Sequence, residues 1–268
     1  MAKGPDLKRY ELFGWEYPLV CPLTEQEVSW HELWARRTGG PLLGLACGTG
    51  RLLCRLAAAG FDVVGLDICD AMLHLAERFA AELPDDSRQR LRFVNGNMAD
   101  FDLGRQFGLI FIADNSFREL KAREDLRSCL ECIRRHLAPG GVVLITERRF
   151  DPSEYPGGRR SLGWSEPRRH PQTGELVSRR IEMQLAPDHR SLRGNMIYRI
   201  AHADGSETIE QCPFDGLILH VPQYVELFDE AGLETRVCAG YRETDDDGAD
   251  PILCFVCRAK QRAAEQSP

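Results

Sequence analysis

The chain has 268 residues, enough for one large α/β domain with an elaboration or for two modest domains. With 43% hydrophobic and 28% charged residues it has the composition of an ordinary globular protein, and a formal net charge of -7 argues against nucleic acid as its partner. No apolar run approaches the roughly 20 residues of a membrane-spanning helix, and the opening "MAKGPDLKRYELFGW" lacks an apolar signal core, so no membrane partner and a cytoplasmic location are expected.

The amino-terminal stretch carries Tyr10, Trp15 and Tyr17, read as an aromatic cluster packed on the main domain. Apolar runs and helical patterns then alternate. "PLLGLA" (41–46) reads as a buried strand and "GRLLCRLAAAGF" (50–61) as a helix stopped by Gly60. "DVVGLDI" (62–68) is a second strand, followed by the helix "DAMLHLAERFAAEL" (70–83) with Asp70 as its N-cap. "LRFVNGN" (91–97) and "FGLIFIADN" (107–115) are the third and fourth strands. The helix "REDLRSCLECIRRHL" (123–137) stops at "APGG", and "VVLITERRF" (142–150) makes a fifth strand. Strands alternating with helices imply a parallel, doubly wound sheet, with the ligand at the carboxyl ends of the strands.

From 151 to 215 the pattern changes. "ELVSRRIEMQL", "SLRGNMIYRIAHA" and "ETIEQCPFDGLILHV" are separated by the turn signals "HPQTG", "APDHR" and "ADGS", and read as an antiparallel meander. "PQYVELFDEAGL" is then a helix, and "ETRVCAGY" and "PILCFVC" are two closing strands joined by the acidic "RETDDDGAD"; the tail "QRAAEQSP" is expected to be loose. The expected organisation is a Rossmann-like, doubly wound, seven-stranded sheet from 1–150 plus 216–268, with an inserted antiparallel β-layer at 151–215 serving as a substrate lid. Ten cysteines include two Cys-x-x-Cys pairs, Cys129/Cys132 on an apolar helix face and Cys254/Cys257 on a strand, where residues three apart face opposite ways. These read as buried, reduced thiols, and no metal site is expected.

The stretch "LLGLACGTGR" places small residues between the first strand and its helix. Such a turn lets a ligand approach the backbone and meet the free N–H groups and positive dipole end of the helix. Gly48 and Gly50 serve that need directly, and Ala46 is tolerable if its φ is negative. Asp67 ends the second strand, where its carboxylate could accept both hydroxyls of a ribose.

Dinucleotide dehydrogenases use G-x-G-x-x-G, whereas Gly44, Ala46, Gly48 and Gly50 are spaced G-x-A-x-G-x-G, which counts against a nicotinamide oxidoreductase. That spacing resembles the first motif of the class I S-adenosylmethionine-dependent methyltransferases, D/E-x-G-x-G-x-G. Four further segments resemble the family in order: "GLDICDAML", "NGNMADF", "FGLIFIADNSFREL" and "HLAPGGVVLITE". The resemblance implies S-adenosylmethionine as cofactor, with S-adenosylhomocysteine as product. It implies cofactor contacts from Gly44, Ala46, Cys47, Gly48, Gly50 and Arg51 in the loop, Asp67, Ile68 and Met72 around the second strand, Asn97 and Met98 near the adenine, and Asp114 after the fourth strand.

Three positions depart from the family. Gly44 replaces the motif acid that helps to hold the methionine amino group, Asn97 replaces an adenine-contacting Asp, and Gly108 replaces an Asp usual after the phenylalanine of the fourth strand. One lost charge-assisted bond is worth about 1.5–3 kcal/mol, so a working site of modest affinity is expected, with Asp114 and backbone carbonyls compensating. A catalytically inactive cofactor-binding protein of the same fold is the rival reading.

Methyl transfer expels a neutral thioether and needs alignment more than acid–base machinery. The family places its acceptor near Asn115 and Ser116; Arg149, after the fifth strand, is a further substrate candidate, and His220 a candidate base. From 148 to 200 eleven arginines face six acids, a local excess of +5 that would suit an anionic small-molecule acceptor, nitrogen or oxygen being the methylated atom.

Overall fold

The computed structural model describes residues 7–260, which divide into two compact units, one of 23–149 with 220–260 and one of 7–22 with 150–219. In chain order the elements begin with the short helices α1 (Lys8–Phe13) and α2 (Tyr17–Val20), which belong to the smaller unit, and α3 (Glu25–Thr38), which opens the larger. The larger unit continues through β1 (Leu42–Leu45), α4 (Arg51–Ala58), β2 (Val63–Asp67), α5 (Asp70–Ala81), α6 (Asp85–Arg88), β3 (Leu91–Asn95), β4 (Phe107–Ile112), α7 (Arg123–His136) and β5 (Leu137–Arg148). The smaller unit holds β6 (Arg159–Leu162), β7 (Arg168–Arg169), β8 (Leu176–Leu185), β9 (Ser191–Ala201) and β10 (Glu207–Leu217). The chain then returns to the larger unit with α8 (Val221–Glu230), β11 (Leu233–Ala239) and β12 (Ile252–Ala259).

The larger unit is built on a seven-stranded sheet of order β11-β12-β5-β4-β1-β2-β3, in which the pairs among β1 to β5 are parallel and β12 is antiparallel to both neighbours. This is the α/β, Rossmann-like, doubly wound architecture expected from the alternating pattern. Its central strands β1, β2 and β4 are buried along their whole length, as strands covered on both faces must be. The order steps from β1 to β2 on one side and to β4 on the other, so the carboxyl ends of β1 and β4 diverge at a topological switch point.

The helices follow their apolar spacing. α4 buries Leu52, Leu53, Leu56 and Ala57, and α5 buries Met72, Leu73, Ala76 and Ala80. Asp70, expected to cap α5, is its first residue, and Cys69 occupies the cap position; the Asp70 carboxylate instead accepts from Asn95 Nδ2 at 2.8 Å. β5 starts five residues before the expected Val142, because Leu137 pairs with Phe107 before the register shifts to Val142 opposite Leu109. α3 has no counterpart among the elements expected from the sequence. Its start is signalled by Thr24, whose Oγ1 accepts from the Glu27 N–H at 3.2 Å, and Val28, His31, Trp34 and Ala35 form its buried stripe.

The smaller unit is an antiparallel sheet of order β10-β9-β8-β6, with β7 added on β8. Residues 7–22, grouped with the main domain from sequence, cluster here instead. The Phe13 ring stacks on Tyr198 at 3.5 Å, Trp15 meets His170 edge-on at 4.8 Å, and the buried Glu16 carboxylate pairs with Arg168 at 2.6 Å and Arg179 at 3.7 Å. Apolar stacking and a desolvated carboxylate that these arginines neutralise account for the association. All ten cysteines are free. Among the described residues no helix is long and apolar enough to cross a membrane. The tail 261–268 lies outside the described residues.

Candidate functional site

The loop leaving β1 turns sharply: Ala46, Gly48 and Gly50 all have positive φ, at 49°, 55° and 69°. Gly50 is fixed twice over, since a Cβ there would also lie 2.9 Å from Ala76 and from the Phe93 ring. Ala46 corrects the expectation of a negative φ; an alanine held in the left-handed region costs about 1 kcal/mol, strain of the kind that gathers at functional turns. The Cys47 N–H donates to Leu66 O at 3.0 Å, tying the loop to the end of β2.

Asp67, at that end, is only 8% exposed. Its Oδ2 accepts from the Gly48 N–H at 2.7 Å and its Oδ1 from the Cys69 N–H at 2.9 Å. Burial raises its carboxyl above the ordinary value, and these backbone donors oppose the rise. A carboxylate has about four acceptor positions. Two are spent inside the turn, so each oxygen keeps one for a ligand hydroxyl. Ile68 follows Asp67, Met98 is buried beyond β3, and Met72 Cε lies 3.4 Å from where a Cβ on Gly48 would be. The Asn97 Oδ1, read as an acceptor for the adenine amino group, accepts from the Ala99 N–H at 2.9 Å.

Two of the departures from the family pattern have packing causes. A Cβ on Gly108 would sit 2.3 Å from Gly39 O. Gly44 lies inside β1, where a Cβ would be 2.9 Å from the Phe111 ring and 3.0 Å from Leu53 Cδ1. The space of the motif acid is filled with hydrocarbon.

After β4, Asp114 and Asn115 also take positive φ, 54° and 64°. Both are fastened to β5: the Asp114 N–H donates to Thr146 Oγ1 at 3.2 Å, and Asn115 Oδ1 accepts from the Arg148 N–H at 2.5 Å. Ser116 begins a short 3-10 turn, 116–119. Behind these residues the buried Glu147 accepts from Arg118 Nε at 2.6 Å; burial raises its carboxyl and Arg118 draws it back. Arg149, read as a substrate contact, is committed elsewhere: its Nε donates to Asp250 O at 3.0 Å and its guanidinium pairs with Asp246. His220, the candidate base, is an exposed residue at the N-cap of α8 whose N–H donates to Gln223 Oε1 at 2.8 Å.

Glu27, in the first turn of α3, was missed. Its carboxyl is raised to about 7, first by burial and then by the charge of Asp114, while Arg51 and the Tyr241 hydroxyl pull the other way. One turn on, the fully buried His31 bonds through Nδ1 to Glu27 O at 2.8 Å and meets the Phe111 ring edge-on at 5.1 Å. Burial lowers His31 to about 4, so its imidazole is neutral. Thr24 and Glu27 stand at capping-box spacing, a signal for the helix in the sequence. Nothing there pointed to the approach of Glu27 to Asp114, 87 residues on.

A methyltransferase domain family matches residues 42–141, from β1 to the start of β5. Over 200 residues, 74% of this chain and 73% of the relative, the sequence is 30% identical to a dTDP-4-amino-2,3,4,6-tetradeoxy-D-glucose N,N-dimethyltransferase of Saccharopolyspora spinosa. Over 204 residues, 74% of this chain and 77% of the relative, it is 29% identical to a dTDP-3-amino-3,4,6-trideoxy-alpha-D-glucopyranose N,N-dimethyltransferase of Streptomyces venezuelae. The solved structure of a SAM-bound amino pentose methyltransferase from Micromonospora echinaspora matches with a TM-score of 0.65 at 25% identity, covering 88% of this chain and 90% of that one.

Proposed function

The chain belongs to the class I S-adenosylmethionine-dependent methyltransferases, and from that premise we propose that its acceptor is the amino group of a sugar linked to a nucleoside diphosphate. It is an enzyme, S-adenosylmethionine is its cofactor, and its acceptor is a small molecule. The observation that carries the finer reading is that both relatives matched over 74% of the chain are named for dTDP-linked amino sugars.

In this reading Asp67 takes the ribose hydroxyls with the two acceptor positions left by Gly48 and Cys69. The backbone of Ala46, Cys47, Gly48 and Gly50 and the first turn of α4 line the amino-acid end, and Ile68, Met72, Asn97 and Met98 line the nucleobase. The cofactor supplies a methyl group on a positively charged sulfur, which leaves as a neutral thioether. An amine accepts that methyl group if it arrives uncharged, and the proton it then carries is shed to water, so no general base from the chain is required. The task left to the chain is alignment, and Asn115 and Ser116 are the side chains assigned to the acceptor. Packing explains the glycines at 44 and 108, two of the three departures that raised the inactive reading.

The test is transfer from isotopically methyl-labelled S-adenosylmethionine to a panel of nucleoside-diphosphate sugars with and without an amino group. Label on the sugar nitrogen, as one or two methyl groups, is the expected result. Label on a hydroxyl of the amine-free sugars, or none on the amino sugars, would overturn the amine assignment.

A further inference from the structure

The family's acid is missing at Gly44, and the structure gives the reason, since Phe111 and Leu53 fill its space. The same Phe111 ring is braced by His31, which is bonded to Glu27 O one turn back. Glu27 is anchored there from both sides. Its neighbour Gln26 donates to Gly240 O at 2.8 Å, and Glu25 pairs with Arg55 of α4 at 2.8 Å. These contacts set the first turn of α3 against α4 and the β4 residue Phe111, and the charges of Arg51, which opens α4 directly after the glycine loop, and of Asp114, which follows β4 next to β1, both act on the Glu27 carboxyl. Two acids and one arginine thus act on one another near the glycine loop.

We propose that Glu27, with Asp114 beside it, replaces the acid absent at Gly44 and holds the α-ammonium of the cofactor, with Arg51 serving its carboxylate. The inference rests on the cofactor assignment above and adds the residues of the amino-acid end. Two like charges facing each other in a partly buried place are unfavourable until a cation arrives between them. An α-ammonium is such a cation, and an α-carboxylate complements Arg51. Glu27 is faced by Asp114, by Arg51, by Tyr241 after β11 and by Cys254 of β12, with neutral His31 on its own helix. Glu27 titrates near neutrality, so ammonium binding favours its ionised form and releases a proton near pH 7.

The test is calorimetric titration of the full chain with two neutral-sulfur probes. S-adenosylhomocysteine carries the amino-acid end, and 5′-methylthioadenosine lacks it. Glu27→Gln is expected to weaken S-adenosylhomocysteine about ten- to a hundred-fold at pH 8 and to leave 5′-methylthioadenosine unchanged. The wild-type chain should bind S-adenosylhomocysteine roughly tenfold more weakly at pH 6 than at pH 8, with proton release read from buffers of different ionisation enthalpy. That dependence should vanish in Glu27→Gln and move to lower pH in Asp114→Asn. Arg36→Gln, on the exposed face of the same helix and with no part in anchoring Glu27, controls for the helix and should bind as wild type. Equal losses for both probes in Glu27→Gln, or no loss for either, would overturn the inference while leaving the cofactor assignment standing. Failure of the wild-type chain to bind either probe would overturn that assignment and the inference with it.

Discussion

Asp67 and Glu27 are two carboxylates drawn into the same unit, and their surroundings are opposite. Asp67 has its partners already, the Gly48 and Cys69 N–H groups at 2.7 and 2.9 Å, supplied by the turn it belongs to. Glu27 faces a second acid, Asp114, and Arg51, the Thr24 backbone and a tyrosine hydroxyl offset it in part. One acid is satisfied by the fold; the other is left short of positive charge. A contact that depends on backbone geometry stays with its loop, because only that loop aims those N–H groups. A contact that needs only charge can come from another element once the original position is filled by side chains, and Glu27 is assigned that role here.

The largest effect that would break this contrast is at Asp67. Asp67→Ala strands the Gly48 and Cys69 donors and removes the acceptors proposed for both ribose hydroxyls. Loss of two charge-assisted bonds is worth about 3–6 kcal/mol, a weakening of more than about a hundredfold. Calorimetry should register it equally for S-adenosylhomocysteine and 5′-methylthioadenosine, unlike the selective loss from Glu27→Gln. A variant that bound both within tenfold of wild type would show that the satisfied carboxylate is only a brace for the loop.

Gly44→Asp restores the family acid and tests whether its space is closed. The new Cβ meets an aromatic ring at 2.9 Å and a leucine methyl at 3.0 Å, and the carboxylate has no donor in that hydrocarbon. Overpacking and an unpaired charge together should lower stability by about 3 kcal/mol in chemical denaturation, with no gain in cofactor affinity. A variant as stable as wild type that binds the cofactor more tightly would mean the space opens, and that Glu27 is not needed to fill the gap.

The contrast also marks how far the sequence could be read. The glycine loop and Asp67 were legible because their partners lie within a span of about 20 residues and depend on strand–turn–helix order alone. The seven-stranded sheet was legible for the same reason, each strand announcing its own helix. What escaped lies in long-range partnerships. Arg149 stands at the ligand edge in sequence, and its guanidinium is captured by Asp246 and Asp250 about a hundred residues on. Tyr10, Trp15 and Tyr17 belong to a segment grouped with the wrong sheet, because the stacking of Phe13 on Tyr198 leaves no trace in local pattern. Ala46 adopts a left-handed turn that side-chain size does not reveal.

A smaller effect, in the protein without ligand, sharpens the same contrast through stability. The Glu27 carboxyl titrates near 4.5 when unfolded and at about 7 when folded. Between those values the folded chain holds a proton that the unfolded chain has lost, so stability falls as pH rises through that window. The contribution is full below pH 4.5 and exhausted above about 7. The shift corresponds to about 3 kcal/mol at most, and partial exposure reduces it to about 2 kcal/mol. Glu27→Gln removes the titrating group, so unfolding free energies of the two chains should diverge from pH 5 to pH 8, with the glutamine variant gaining on wild type. Saturating S-adenosylhomocysteine should close that gap, because the ammonium supplies the charge that Asp114 denies. A gap of the same size with the ligand bound would place Glu27 outside the cofactor's reach and leave its burial a property of α3 alone.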